Sequence, residues 1–273
     1  MKVFISADLE GIAGVVHGEH VLRDGREHDR ARKLMTAEVN AAIEGALEAG
    51  AQKIVVNDSH GTMRNIIPEE LHEKAELITG SPKPLSMMQG IDSSFDAAFF
   101  IGYHAMPSNF PAVMGHTYYG RVVYNVRVNG RLMGETGINA ALAGYFNVPV
   151  VLVTGDQAVT REARQLIGNV ETVTIKEAVG RYAAKCLSPI EARRQIREAA
   201  KNALNKLSEI RPFKLDGPVT FEIDLIHAGM TEMALMIPGI EKRDARTVAF
   251  TFDDLLTAFK AFRAVLALAS LNV

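Results

Sequence analysis

The sequence predicts an α/β protein: a mostly parallel sheet flanked by helices, with a second, smaller α/β part behind it. Three observations predict this. Short apolar runs that end in polar residues recur, as in "KVFISAD", "KIVVND" and "DAAFFIGYHA". A long amphipathic stretch separates the first two, giving strand, helix, strand, for which a parallel pair with a right-handed crossover is the default. Near residue 180 the character shifts, which divides the chain into an expected metal-site part, residues 1–180, and a smaller part, residues 181–273.

Taken in order, "KVFISAD" is a buried strand, because it is short, apolar and rich in residues that suit sheets. A polar loop with Gly18, Asp24 and Gly25 leads to a helix from about residue 29 to 49. Met35, Val39, Ala42 and Ala46 give that helix an apolar stripe, and Gly50 is placed to end it. "KIVVND" and "DAAFFIGYHA" are the next strands. "VVYNVRVNGRLMGE" alternates around Asn129-Gly130, a strong signal for a two-residue hairpin turn. A helix over 137–145, the strand "VPVVLVTGD", a helix from near Asp156 and the strand "VETVTI" follow. "SPIE" then starts a long helix to about residue 207, with Ser188 as N-cap, Pro189 in the first turn and Glu191 expected to complete a capping box. "VTFEID" and "TVAFTF" are further strands, and a last helix aligns Leu255, Phe259, Phe262 and Leu266 on one face.

A chain of 273 residues can bury a sizeable core in one large domain or two modest ones. Hydrophobic residues at 48% and charged residues at 23% are those of an ordinary globular protein. The formal charge of −2, with no basic tract, argues against nucleic acid or an anionic membrane as the main partner. Cys186 is the single cysteine, so no disulfide can form within the chain. No signal-peptide pattern opens the sequence, and no uncharged run reaches membrane-spanning length, the C-terminal "FRAVLALASLNV" being short and carrying Arg263. A reduced, cytoplasmic setting is the expectation.

Open α/β sheets hold their ligands beyond the carboxyl ends of their strands. The first strand delivers Asp8 and Glu10 there, the second Asn57, Asp58, Ser59 and His60, and the third Tyr103 and His104. Glu135 follows the hairpin, with His116 in the loop before it. Singly, each has a plain structural explanation: Asp8 or Glu10 a turn former, His60 a bonded loop residue, His104 a satisfied interior histidine, Glu135 a charge at a helix N-terminus. Together they supply imidazole and carboxylate from several strand ends, which suits Zn²⁺ or a similar ion. Asp8 and Glu10 alternate along extended backbone and so share a side. Three carboxylates exceed what one catalytic zinc takes, which favours two ions. Asp58 is a candidate to orient a ligand.

The remaining candidates carry less. His17, His20 and His28 read as solvated loop residues that could line the mouth of a site, His72 as exposed and His227 as structural. Cys186 reads as a packed thiol and the methionines of "SMMQG" as core. A phosphatase reading competes: Asp8 would attack phosphate covalently, with "TGD", Thr154 to Asp156, as a metal motif for Mg²⁺. It leaves His60, His104 and Glu135 without a task. A non-catalytic protein that binds metal and peptide is a further alternative.

The motifs "SADLEG", "NDSHG", "GYHA", "MGHT", "GETGINA", "VPVVLVTGD" and "AKCLSP" together resemble the zinc-dependent D-aminopeptidase family, the DppA-like dipeptide-transport proteins. The likeness runs in order over nearly the whole chain; "MPSNFPAV", residues 106–113, is its least familiar part near the site. The resemblance implies a dinuclear zinc hydrolase that removes N-terminal D-residues from short peptides. It places the family's metal ligands on Asp8, Glu10, His60, His104 and Glu135, and its catalytic histidine on His116. It also implies a homo-oligomer, a ring-like decamer of two stacked pentamers around a chamber that admits small peptides. A two-metal amide hydrolysis follows as the expected mechanism, with Asp8 bridging.

Overall fold

The computed structural model describes all 273 residues, Met1–Val273. The chain runs β1 (Lys2–Ala7), α1 (Gly18–Val21), α2 (His28–Glu48), β2 (Lys53–Asp58), β3 (Ala75–Ile78) and β4 (Ala97–Tyr103). The hairpin β5 (Val123–Val128) and β6 (Arg131–Leu132) follows, then α3 (Glu135–Tyr145), β7 (Val150–Asp156) and α4 (Gln157–Ile167). It closes with β8 (Glu171–Gly180), β9 (Ala183–Cys186), α5 (Pro189–Asn205), β10 (Val219–Leu225), α6 (Ala228–Ala234), β11 (Glu241–Lys242), β12 (Thr247–Phe252) and α7 (Leu255–Ala269).

The first sheet has seven strands in the order β3-β2-β1-β4-β7-β8-β9, parallel except for the β8–β9 pair. Its central strands are apolar on both faces, as a parallel sheet covered on both sides requires. Val3, Ile5 and Ala7 of β1 enter one core with α2 and α5, while Phe4 enters the other with α3, α4, α7 and the second sheet. After β3 the chain returns to the centre and continues on the other side with β4. The exits of β1 and β4 therefore flank a topological switch point, where ligands of open α/β sheets bind.

The second sheet is antiparallel, in the order β11-β12-β10-β5-β6. A cut at residue 180 does not divide the two sheets. Residues 123–132 leave the first part to pair with β10, through Phe221↔Val128 and Ile223↔Val126, whereas β9 and α5 stay with the first sheet. That pairing joins segments about a hundred residues apart, and no local pattern announces it.

Local expectations met specific outcomes. Asn129 and Gly130 both take positive φ, as the hairpin turn requires. α3 begins at Glu135, two residues ahead of the expected start, so Glu135 occupies the first turn of a helix. Ser188 caps α5 through the Glu191 N–H, but the Glu191 carboxylate binds Arg194 and Gln195 instead of closing a capping box. β3 and β9 sit at the sheet edges, half-buried at most, and lack the long apolar run that marks the central strands. Leu255–Asn272, with a mean hydropathy of 1.4, passes a membrane-span test on length and composition. Leu255, Phe259, Phe262, Val265 and Leu266 are nevertheless buried against the second core. α2 crosses α5 at Gly45, where a Cβ would lie 2.1 Å from the Arg197 carbonyl oxygen, so only glycine permits that approach.

Glu38 of α2 is buried and accepts the Ala13 N–H at 2.9 Å, while its second oxygen has no partner. Burial pushes its carboxyl up to about 7, against the pull of the Ala13 N–H and Lys176. The folded chain thus keeps a proton that the unfolded chain releases near its ordinary 4.5. The associated stability is full below the unfolded pKa and falls as pH rises through about 7. Glu38→Gln should therefore melt above the wild type at pH 8, by up to roughly 3 kcal/mol, with the gap closing toward pH 5. A gap that does not change with pH in thermal melts would contradict this.

Candidate metal centre

Beyond β1 the chain stays against the exit of β4: the Asp8 N–H donates to the Ile101 carbonyl at 2.8 Å, and the Gly11 N–H to Gly102 at 2.7 Å. The two backbones touch here. A Cβ on Gly11 would lie 2.1 Å from the Tyr103 oxygen, and one on Gly102, whose φ is +72°, 2.3 Å from the Asp8 oxygen. Lys176 of β8 then fixes the outgoing loop by donating to the carbonyls of Glu10, Ile12 and Val15. Asp8 and Glu10 are thereby held on the switch-point crevice by main-chain constraints.

His60 follows β2, where the Ser59 N–H donates to the Ala7 carbonyl at 2.8 Å. His104 follows β4, and Glu135 sits in the first turn of α3, where the helix dipole favours its charge. His116 lies in the long loop after β4. That loop is tied down by Asp156, which accepts the Val113 N–H at 2.7 Å, and by Arg181, which donates to Gly115 at 2.9 Å.

The side chains meet. His60 Nδ1 lies 2.8 Å from Glu10 Oε2 and 3.2 Å from Asp8 Oδ1. His104 Nε2 lies 3.5 Å from Asp8 Oδ2 and 3.4 Å from Glu135 Oε2. His116 stacks on His104 with centroids 4.1 Å apart, and its Nε2 is 3.9 Å from both Glu10 Oε1 and Glu135 Oε1. The other ring nitrogens face main-chain carbonyls: His60 Nε2 that of Val21 at 2.8 Å, His104 Nδ1 that of Ala105 at 3.1 Å, and His116 Nδ1 that of Met114 at 2.9 Å. A neutral imidazole bonded in this way donates outward and presents its lone pair to the cluster.

Carboxylate oxygens and imidazole lone pairs therefore face one another in a buried space, and Asp8 Oδ2 has no hydrogen-bond partner. Either protons or cations must lie between them. Without a cation the charges settle on the rings. His60 and His104 are held well above the usual histidine range, because the carboxylates outweigh the cost of burial. Burial and the adjacent Glu10 push Asp8 up to about 7, while Glu10, despite burial, is drawn well down by His60. Burial and the neighbouring His104 lower His116.

Cations fit the donor set better. Asp8, Glu10 and His60 place one ligand atom each within 4.8 Å of one another, and so do Asp8, His104 and Glu135. These two triads use all five residues, with Asp8 common to both. A third grouping, Glu10, His104 and His116, takes Glu10 and His104 from those triads and adds only His116. His116 is thus left over, and its side chain, 22% exposed, is the most accessible of the six.

Other expected roles changed. Asp58 does not touch His60. It accepts from the Asn65 N–H, Asn65 Nδ2 and the Ile66 N–H, and so shapes the loop after His60, while Val21 orients the ring. His20 and His28 are buried, not solvated, and His28 lines the cavity above the centre. Thr154 accepts the Gly102 N–H, and both oxygens of Asp156 hold main-chain N–H groups, so "TGD" is structural. The cavity, about 590 Å³, is also lined by Tyr118 and Arg263, neither singled out for the site by the sequence because neither sits at a strand end of the first sheet.

The model of the D-aminopeptidase family matches residues 1–264. The chain belongs to the D-aminopeptidase family. It is 40% identical over 265 residues to the D-aminopeptidase of Bacillus subtilis (strain 168), covering 96% of this chain and 95% of that one. It is also similar to the solved structure of the Zn-dependent D-aminopeptidase DppA from Bacillus subtilis, described as a self-compartmentalizing protease. That match has a TM-score of 0.96 at 38% identity and covers 99% of this chain and 98% of the other.

Lys176 gives this family member's site a direct test. Its ammonium is buried on three carbonyls, and methionine would leave all three without that donor. Lys176→Met should lower stability by about 2 kcal/mol or more and weaken divalent-cation affinity at least about tenfold, by freeing the Glu10 segment. Unchanged cation affinity by calorimetry would show that the loop holds its position without it.

Proposed function

We propose that the chain is a zinc metallopeptidase, an aminopeptidase that removes N-terminal D-residues from short peptides. One observation carries the reading: two ligand triads that share Asp8 inside one buried cluster, with His116 left beside it. Two zinc ions per chain would be held, one by Asp8, Glu10 and His60 and one by Asp8, His104 and Glu135. Bound zinc would supply Lewis acidity, polarising a peptide carbonyl and lowering the pKa of water from its bulk value toward about 7.

The chain's own groups do the rest. Asp8 offers one oxygen to each triad, its Oδ1 also accepting the Leu9 N–H at 2.9 Å, which fixes the carboxylate plane. The Tyr118 N–H holds Glu135 Oε1 at 2.6 Å and leaves Oε2 directed at His104. His116, with Nδ1 engaged by Met114, presents Nε2 to the cavity, where it can take a proton at the reacting centre and return it to the leaving amine.

The phosphatase reading requires Asp8 free for covalent attack and Asp156 free for metal, and neither geometry offers that. Homo-oligomerisation is supported by likeness to a self-compartmentalizing relative over nearly the whole chain; a ring-like decamer is the expected form, and a native-mass measurement checks it.

Asp8→Ala should keep the fold while losing zinc and all release of alanine from D-alanine p-nitroanilide. Normal zinc content by metal analysis would remove Asp8 from the bridging position. His116→Ala should retain zinc and lose turnover by about 100-fold or more. An active, zinc-loaded variant would take His116 out of the mechanism. L-alanine p-nitroanilide, assayed alongside, reads the stereochemical preference, and bound zinc without hydrolysis of either would favour a binding protein.

A further inference from the structure

The only charged residues of α7 are Lys260, which is exposed, and Arg263, which is half-buried among the residues that line the cavity. Arg263 forms no ion pair or hydrogen bond within the chain. Its guanidinium carbon sits over the Tyr118 ring, 5.2 Å from the centroid. That ring is itself fixed. The Tyr118 N–H donates to Glu135 Oε1 at 2.6 Å, its hydroxyl donates to Asn139 Oδ1 at 2.7 Å, and Phe259 and Phe262 pack edge-on against it. The guanidinium is thus pre-oriented one tyrosine side chain away from the carboxylate cluster.

The charges around the cavity are sorted. Every acid that lines it, Asp8, Glu10 and Glu135, belongs to the metal centre; the only other formal charges are the cations Arg23 and Arg263. A half-buried guanidinium with its planar donor fork unused and no acid opposite it lacks an anionic partner. With the N-terminal residue of a substrate at the metal centre, the rest of the peptide extends into the same cavity that Arg263 lines.

We propose that Arg263 is the specificity residue that binds the C-terminal carboxylate of the substrate, which makes peptides with a free C-terminus preferred over C-terminally blocked ones. The proposal rests on the aminopeptidase reading above and names the substrate end which that reading leaves open. Arg263 does not touch the reacting atoms. It aligns the peptide by holding the end opposite the scissile bond.

The test uses the full-length, zinc-loaded protein with D-alanyl-D-alanine, its C-terminal amide and D-alanine p-nitroanilide. In the wild type, kcat/KM for the free dipeptide should exceed that for the amide by about 10- to 100-fold, mostly through KM, as one charge-assisted pair provides. In Arg263→Gln the ratio should fall to within about twofold of one, and Arg263→Lys should retain part of it. Equal wild-type rates on acid and amide overturn the proposal whether or not any variant folds. A full preference persisting in Arg263→Gln also overturns it. Absence of alanine release from all three substrates overturns the aminopeptidase reading itself, and the proposal with it, whereas hydrolysis of the anilide without an acid-over-amide preference overturns the proposal alone.

Discussion

Three histidines that each turn one ring nitrogen to a main-chain carbonyl set the terms for the rest of this structure. Val21, Ala105 and Met114 accept those bonds, so the remaining lone pairs of His60, His104 and His116 face the carboxylates of Asp8, Glu10 and Glu135. Acceptors opposed to acceptors in a buried space repel unless positive charge lies between them. The surrounding chain therefore has to hold the cluster together against its own repulsion. It does so through the backbone: Lys176 grips three carbonyls below Glu10, Asp58 and Asn65 shape the turn after His60, and Asp156 with Arg181 fixes the loop that ends in His116. Because these anchors act on the main chain, they do not compete for the ligand atoms.

Sheet topology makes the convergence possible. With β1 and β4 adjacent and the chain winding outward on both sides of them, the exits of β1, β2 and β4 open on one crevice. Gly11 and Gly102 let the first and third of those exits lie backbone to backbone. Below them a buried network, Ser59–Ser6–Tyr103–Asn139–Tyr118, links the strand ends to α3 and to the cavity wall. Each polar atom in that network has a partner, so it fixes positions at little desolvation cost.

Much of this was legible in the sequence. The buried central strands announce themselves as apolar runs, and a polar tail at each marks the ligand side, which brought Asp8, Glu10, His60, His104 and Glu135 together by reasoning on strand ends. What stayed hidden is non-local or marginal. The pairing of β5 with β10 depends on segments about a hundred residues apart, and the edge strands β3 and β9 carry too little apolar sequence to stand out. Asp58 looked like a partner for His60 because it is two residues away, yet its oxygens turn to Asn65 and Ile66. His20 and His28 looked solvated because their neighbours are charged; the fold of residues 17–28 over the crevice buries them. His116 followed from the family likeness alone, since nothing in its own loop reveals that it will stack on His104.

The cavity shows why the second sheet is there. Strand exits of the first sheet supply Asp8, Glu10, His60 and His104 of the candidate centre, and Glu135 joins them from α3, after the β5–β6 hairpin. Phe259 and Phe262 bury into the core of the second sheet, Phe262 stacking on Phe221 of β10 at 5.2 Å, and this holds α7 across the mouth. One residue further round the helix is Arg263, the half-buried one of its two cations. The same hydrophobicity that would suit α7 to a membrane by composition thus serves to press it onto a sheet. Its position on that sheet decides which charge faces the centre. A wall held by its own core can vary in side-chain chemistry without disturbing the carboxylate–histidine cluster, because no residue of that cluster lies on α7. The carboxylate–histidine cluster and the cation of the wall are in this way carried by different elements, joined through Tyr118.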